Sequence, residues 1–167
     1  YYLTLNIKYF SEKMKLRIIL SALCILSSGT GYANSSQQEK INFVKKVYED
    51  HLNEDLMGID VLKLHASKEL RLLIQKRDAI ADRHEGDMCE WVRQVLIPGN
   101  DYDVRANKIK YSVLPNGRVR AQAKNFGESF HVDFDVKCDA QGCKITDVYD
   151  PGSYRKELIS IVKNGTC

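Results

Sequence analysis

Asp147 is the residue of this sequence whose type and position best suit acid–base chemistry. It lies in the last of four predicted strands, just beyond a predicted hairpin that sets Cys138 opposite Cys143. Continuing that register places Phe134 opposite Asp147, so that the carboxylate points to the apolar face of the sheet. A carboxyl group in an apolar cleft acquires the raised pKa that general acid–base catalysis requires.

Three interpretations of Asp147 stay open, because burying an unpaired carboxylate is costly. A β-bulge could turn it outward, a structural hydrogen bond could hold it, or a ligand pocket could use it. If it faces a pocket, Tyr111, Phe134 and Tyr149 are the candidate ligand contacts beside it. An enzymatic function, as a small hydrolase or isomerase, would pair Asp147 with Tyr111 or His131.

His131, Asp133 and Asp135 share one face of the third predicted strand. Successive side chains on such a face are about 6.5–7 Å apart, which is too wide for one strand to chelate a metal ion closely. The register across the second turn also sets Arg120 opposite Asp133 and Arg118 opposite Asp135. We therefore interpret the face as a solvated charge ladder, with a metal site as the alternative, and predict no metal and no cofactor.

Alternation of apolar and polar residues predicts four strands, over residues 109–113, 119–124, 130–136 and 143–149. The first turn is predicted to be the three-residue loop Pro115-Asn116-Gly117, with Gly117 in the left-handed conformation. This length pairs Val113 with Val119, whereas a two-residue loop would place Val113 opposite Arg120. The strands therefore form an antiparallel four-stranded meander.

Three helices are predicted around this sheet. A capping box at Ser36-Gln37-Gln38-Glu39 indicates a helix over 36–52, and Ser67 begins a second helix that runs to about His84. A closing helix starts at Asp150-Pro151-Gly152-Ser153, with Pro151 in its first turn, and stops at Asn164-Gly165. The fold class is therefore α+β, with two N-terminal helices packed on the meander and a C-terminal helix.

Residues 14–33 have the three-part plan of a secretory signal peptide: a basic start, a short apolar run and the small residues of Gly31-Tyr32-Ala33. Residues 1–13 are predicted to be upstream sequence read in frame, and residues 34–167 a single domain. The apolar run is shorter than the roughly 20 residues of a membrane span, so no membrane insertion is predicted. Leu23 before Cys24 does not suit lipidation. We expect a periplasmic protein.

Removing residues 1–33 changes the charge balance. They hold four of the 25 basic and one of the 22 acidic side chains, so the remaining 134 residues carry no net charge. The electrostatic argument for a nucleic-acid partner therefore disappears.

Four cysteines also remain after that removal, which in an exported chain indicates two disulfides. Cys138 and Cys143 bracket a four-residue turn, which leaves Cys89 for Cys167. A zinc site is the alternative for four cysteines, although no short Cys-x-x-Cys pair is present.

The order of elements and the ending Cys143-Lys144-Ile145-Thr146-Asp147-Val148-Tyr149-Asp150, followed by Gly152-Ser153, resemble an exported bacterial family known as domain of unknown function 3828. That family is similar to the nuclear-transport-factor-2-like class. The resemblance implies that helices pack into the concave side of a curved antiparallel sheet and form a cone with a pocket. It implies little about activity, because such cones serve enzymes, ligand carriers and protein-binding modules.

The expected function is that of an exported, non-catalytic binding module for a small molecule or a protein partner. The sequence contains no Gly-rich phosphate loop, no Gly-x-Ser-x-Gly elbow and no His-Glu-x-x-His motif. An immunity-type inhibitor of a secreted toxin is a concrete possibility within this class. The alternative is the small hydrolase or isomerase that uses Asp147.

Overall fold

The computed structural model describes residues 29–84, 94–99 and 101–165 of the 167-residue chain. The chain divides into two compact units, residues 1–36 and 37–167. Of the first unit only residues 29–36 are described, and they are helical. The predicted upstream segment and most of the predicted signal peptide therefore lie outside the described residues, as do Cys89 and Cys167.

Besides two three-residue 3-10 helices, Glu54–Leu56 and Ala106–Lys108, the described elements are four α-helices and four strands: α1 (Gly29–His51), α2 (Val61–His65), α3 (Lys68–Ala81), β1 (Lys110–Val113), β2 (Val119–Asn125), β3 (Glu128–Asp139), β4 (Gly142–Tyr149) and α4 (Tyr154–Asn164). The strands form one antiparallel sheet in the order β1-β2-β3-β4. The predicted α+β class, the meander and the C-terminal helix are confirmed. No helix within the described residues has both the length and the apolar character needed to cross a bilayer.

The N-terminal helices differ in their bounds from the prediction. Helix α1 begins at Gly29, so the predicted start at Ser36 was wrong; serine is tolerated and glutamate favoured within a helix, so the capping-box pattern alone does not mark a helix start. Helix α2 was not predicted, although Asp60 caps it by accepting a hydrogen bond from the Lys63 backbone at 2.8 Å. Ser67 caps α3 as predicted, but that helix ends at Ala81.

The C-terminal helix also starts later than predicted. Ser153 is its N-cap, and the Ser153 hydroxyl accepts a hydrogen bond from the Lys156 backbone at 3.1 Å. Pro151 therefore precedes the helix and does not lie in its first turn. The predicted stop is confirmed, since Gly165 takes a left-handed conformation (φ 66°) just after Asn164.

The two predicted hairpin registers are confirmed. Val113 pairs with Val119, and Gly117 has the positive φ of 82° that the three-residue turn requires. Across the second turn, Arg120 pairs with Asp133, and their side chains form two hydrogen bonds of 2.7 and 2.9 Å. Local alternation was sufficient for these pairings because each of the three strands has one face that is more buried than the other.

The register between β3 and β4 corrects the prediction. Val136 pairs with Ile145 as expected, but a bulge follows in which Thr146 is the extra residue. Asp147 therefore lies opposite Asp135, and Val148 replaces it opposite Phe134. The bulge moves Asp147 off the apolar face, because a shift of one residue turns every following side chain to the other side of the strand.

One apolar core holds the second unit together. The ring of Tyr48 in α1 contacts that of Phe134 in β3 edge-on, with ring centroids 5.9 Å apart, and its hydroxyl donates to the Leu96 carbonyl at 2.8 Å. At the edge of the sheet, the Ser67 backbone N–H donates to the Ile145 carbonyl at 2.7 Å. The segment between α2 and α3 thus covers part of the exposed edge of β4.

Candidate functional site

The four predicted ligand contacts are not gathered round one cavity. Phe134 is completely buried in the core, and Tyr111 packs edge-on against Tyr48, with ring centroids 6.2 Å apart. Asp147 and Tyr149 lie in β4 after the bulge, on the opposite face of the sheet. None of the four lines either of the two cavities described below.

The carboxylate of Asp147 caps the start of α4. Its Oδ1 accepts hydrogen bonds from the backbone N–H groups of Val148 and Arg155, both at 2.8 Å. Its Oδ2 accepts a hydrogen bond of 2.5 Å from the Ser153 hydroxyl. Of the three interpretations that the sequence left open, the structural hydrogen bond applies; a bulge is also present, but it does not expose Asp147, which stays buried at 7% exposure.

Tyr149 belongs to the charged face of the sheet. Its hydroxyl donates to Asp135 at 2.9 Å, and the guanidinium of Arg118 lies 3.4 Å from the centre of its ring. Burial, assisted by the bond to Asp135, raises the pKa of Tyr149 to about 12. His131 is exposed two residues along the same face from Asp133. This face carries the predicted charge ladder, with Arg118 3.5 Å from Asp135.

The sulfur atoms of Cys138 and Cys143 are at bonding distance, 1.99 Å, across the β3–β4 turn. Glu39 of α1 lies close to them, and these three form the single group among the described residues that is close enough to share a metal ion. A disulfide leaves neither cysteine as a thiolate ligand. The predicted partners Cys89 and Cys167 lie outside the described residues.

A cavity of about 500 Å³, which we call the Arg77 cavity, opens between the end of α1, the loop before α2 and the first residue of α4. Its polar lining consists of His51, Asp60, Arg77, Gln94, Tyr102 and Tyr154. The rest of the lining is mainly apolar, and its most exposed members are Met57 and Ile59, at 82% and 51%. A volume of this size and a few convergent polar groups are typical of small-molecule sites.

Arg77 reaches this cavity because it lies on the buried stripe of α3 with Leu70, Ile74 and Ile80. Its Nε and Nη2 donate to Asp78 Oδ1 at 3.0 and 2.5 Å, and its Nη1 donates to the Tyr154 hydroxyl at 2.6 Å. One N–H on each terminal nitrogen is left without a hydrogen-bond partner among the described residues. The nearest other carboxylate oxygen, on Asp60, is 3.9 Å from Nη2, beyond hydrogen-bond distance.

The charge state of this cluster follows from its contacts. Burial by itself would lower the pKa of Arg77. Tyr154, Asp78 and Asp60 together outweigh that effect, so the pKa of Arg77 lies above its ordinary value. Burial raises the pKa of Tyr154 to about 12, so its hydroxyl is protonated at neutral pH. Burial also lowers the pKa of His51, although Asp60 partly opposes this. The cavity therefore presents a permanent guanidinium beside a neutral imidazole and a neutral phenol.

The imidazole of His51 has an unmet hydrogen-bonding atom. Its Nε2 is buried without a partner among the described residues, and its ring lies 5.6 Å from that of Tyr102. A buried polar atom without a partner costs free energy unless a ligand or water satisfies it.

Acidification is expected to destabilise the protein through His51. Above its ordinary pKa of 6.5 the residue is neutral in both the folded and the unfolded chain. As the pH falls below that value, the imidazole of the unfolded chain is protonated while the buried imidazole of the folded chain stays neutral. The free energy of unfolding therefore decreases until the pKa of the folded state is reached.

Urea denaturation between pH 5 and 8 would show a smaller pH dependence for His51→Gln than for the unchanged protein. The exposed His131→Gln is the matched control, and an unaltered slope in His51→Gln would contradict the expectation.

Arg77 was not among the candidate functional residues of the sequence, although it lies at helical spacing with Leu70, Ile74 and Ile80. The available signal was a charged residue within an apolar helix face, which must find a partner or a ligand. His51, Asp60 and Tyr154 gave no such signal, since they come from separate parts of the chain.

The geometry of the Arg77 cavity suits hydrogen bonding to an oxygen acceptor next to an apolar group. A guanidinium with one N–H available on each terminal nitrogen is a donor for carboxylates and similar planar groups. No protein-family model matches this chain, and neither does any curated protein or solved structure, so the resemblance to domain of unknown function 3828 stays a prediction.

Proposed function

We propose that the protein is an exported, non-catalytic binding module that takes a small ligand with a carboxylate and an apolar body in the Arg77 cavity. The observation that carries the proposal is the buried guanidinium of Arg77, which lines the cavity with one N–H on each terminal nitrogen unpartnered among the described residues. Export and the periplasm are part of the proposal and are supported by the predicted signal peptide and the disulfide.

The lining of the cavity supports both halves of such a ligand. Arg77 is already ion-paired with Asp78, so what it supplies to a ligand is its two remaining N–H donors, and the Tyr154 hydroxyl on its Nη1 keeps the guanidinium in place. The exposed apolar side chains of Met57 and Ile59 would pack against the apolar body of the ligand. This contact would remove apolar surface of both the protein and the ligand from water. The buried Nε2 of His51 could gain the partner that it lacks.

The test uses 2-naphthoate and its uncharged amide as probes, measured by saturation-transfer NMR and by calorimetry on the full chain. The carboxylate is expected to bind, and more tightly than the amide. Arg77→Met is expected to weaken its binding about tenfold, which is 1.4 kcal/mol. Arg77→Lys keeps the charge but loses the fork of donors, so its affinity should lie between the two.

Two further variants sharpen this result. Asp60→Asn removes the second carboxylate near Arg77, after that of Asp78, while keeping a side-chain oxygen to cap α2, so naphthoate should bind more tightly. Arg83→Met, at an exposed arginine that does not line the cavity, is the matched control and should leave binding unchanged. Equal affinity in Arg77→Met and the unchanged protein, with both folded by circular dichroism, would contradict the proposal.

A further inference from the structure

A second cavity, of about 610 Å³, lies beside the first two strands and the turn that follows them. Its lining includes four cationic residues, Arg105, Lys108, Lys110 and Lys124, together with the neutral polar residues Gln122 and Ser129. We call this cavity the basic groove. None of its lining residues is shared with the Arg77 cavity.

The strand register brings two of the lysines together. Lys110 lies directly opposite Gln122, and Lys124 follows two residues later on the same face of β2. Directly opposed residues have Cβ atoms about 5 Å apart, and neighbours on one face of a strand are about 7 Å apart. Ser129 pairs with Lys124 from the third strand. The groove thus has two ammonium groups, an amide and a hydroxyl on neighbouring positions of one sheet face.

The side chains of the four cationic residues form no ion pair or hydrogen bond within the described residues. The next two cations along the same face behave differently, since Arg118 is paired with Asp135 and Arg120 with Asp133. Asp103 is the acidic residue of the lining, and its Oδ1 already accepts a hydrogen bond from the Phe126 backbone at 2.7 Å. The lining of the groove therefore carries four positive charges against the single negative charge of Asp103.

We propose that the basic groove binds a soluble small molecule that carries two or more phosphate-type groups. Lysine ammonium groups and an arginine fork are the donors that proteins use for such oxyanions. A single negative charge would leave most of the repulsion among four cations in place.

The size and surroundings of the groove favour a small ligand over a nucleic acid. Its volume is within the range of small-molecule sites. A nucleic-acid strand requires a track of unpaired cations, but the next cations beyond Gln122 on this face, Arg120 and Arg118, are neutralised by Asp133 and Asp135.

The probe is inorganic tripolyphosphate, titrated into the full chain by calorimetry at low ionic strength. Saturable binding of one equivalent is expected, tighter than that of monophosphate and weaker as salt is added. The double variant Lys110→Gln and Lys124→Gln should lose about tenfold or more in affinity, because both ammonium groups face the same ligand. Both positions are exposed, so the variant should keep the melting temperature of the unchanged protein.

The matched control is Lys137→Gln with Lys144→Gln, two exposed lysines that face each other across β3 and β4 outside the groove. It should bind tripolyphosphate like the unchanged protein. Equal losses in the two double variants would show general attraction by surface charge and would overturn the proposal. Binding to vesicles of phosphatidylglycerol and phosphatidylcholine without saturable binding of tripolyphosphate would also overturn the proposal. Either result leaves the test of the Arg77 cavity unaffected, because the two sites share no residue.

Discussion

Replacing Phe134 with Ala is expected to lower the free energy of unfolding by about 4 kcal/mol. Its ring is completely buried, lies opposite Val119 and Val148 on the neighbouring strands, and contacts the Tyr48 ring edge-on. The truncation would remove apolar burial and leave a cavity that surrounding strands cannot close fully. Urea denaturation monitored by circular dichroism would measure the change.

The control is Phe126→Ala, which removes the same ring from a position that is 64% exposed. That variant should stay within about 0.5 kcal/mol of the unchanged protein. The comparison bears on function, because the sequence had suggested Phe134 as a ligand contact. If Phe134→Ala cost as little as Phe126→Ala, the ring would line an accessible pocket and the core position would be wrong.

Replacing Asp147 with Ala is expected to lower the free energy of unfolding by about 3 kcal/mol. The change leaves two backbone N–H groups and the Ser153 hydroxyl without their shared acceptor, at a residue that is only 7% exposed. It also removes a negative charge from the start of α4, where the helix dipole favours it. Thermal and urea denaturation would report the loss.

Two variants separate this capping role from other effects. Asp147→Asn keeps an oxygen for the two backbone donors and offers an amide to Ser153, so it should cost about 1 kcal/mol. Asp82→Ala removes an exposed carboxylate just after α3 and should change stability by less than about 0.5 kcal/mol. A loss of naphthoate or tripolyphosphate binding in a folded Asp147→Asn variant would instead indicate that Asp147 has a functional role.

Most of the sheet could be predicted because its information is local. The alternation in β1, β2 and β3 and the turn at Gly117 select one register, and a shifted register would expose apolar residues or bury Arg120. The caps at Ser67 and Gly165 are equally local, since each satisfies backbone groups of its own helix end.

The bulge at Thr146 could not be predicted from alternation. The predicted and the observed registers both pair Val136 with Ile145. They differ only in whether Thr146 takes part in the pairing or is the extra residue of the bulge. What favours the bulge is the start of α4, whose backbone N–H groups and Ser153 hydroxyl need an acceptor and find it in Asp147. That requirement arises only when the strand and the helix are packed together.

The candidate sites likewise combine features that the local sequence pattern can predict with features that only packing decides. Periodicity alone is enough to put Arg77 on the buried stripe of α3 and Lys110 and Lys124 on the exposed face of their strands, because a side chain's direction follows from the backbone repeat of its own element. Periodicity could not predict that His51, Asp60 and Tyr154 lie around Arg77. Nor could it predict that the groove lysines stay unpaired whereas Arg118 and Arg120 form ion pairs. These outcomes depend on contacts between residues far apart in the chain, which packing selects and local pattern does not encode.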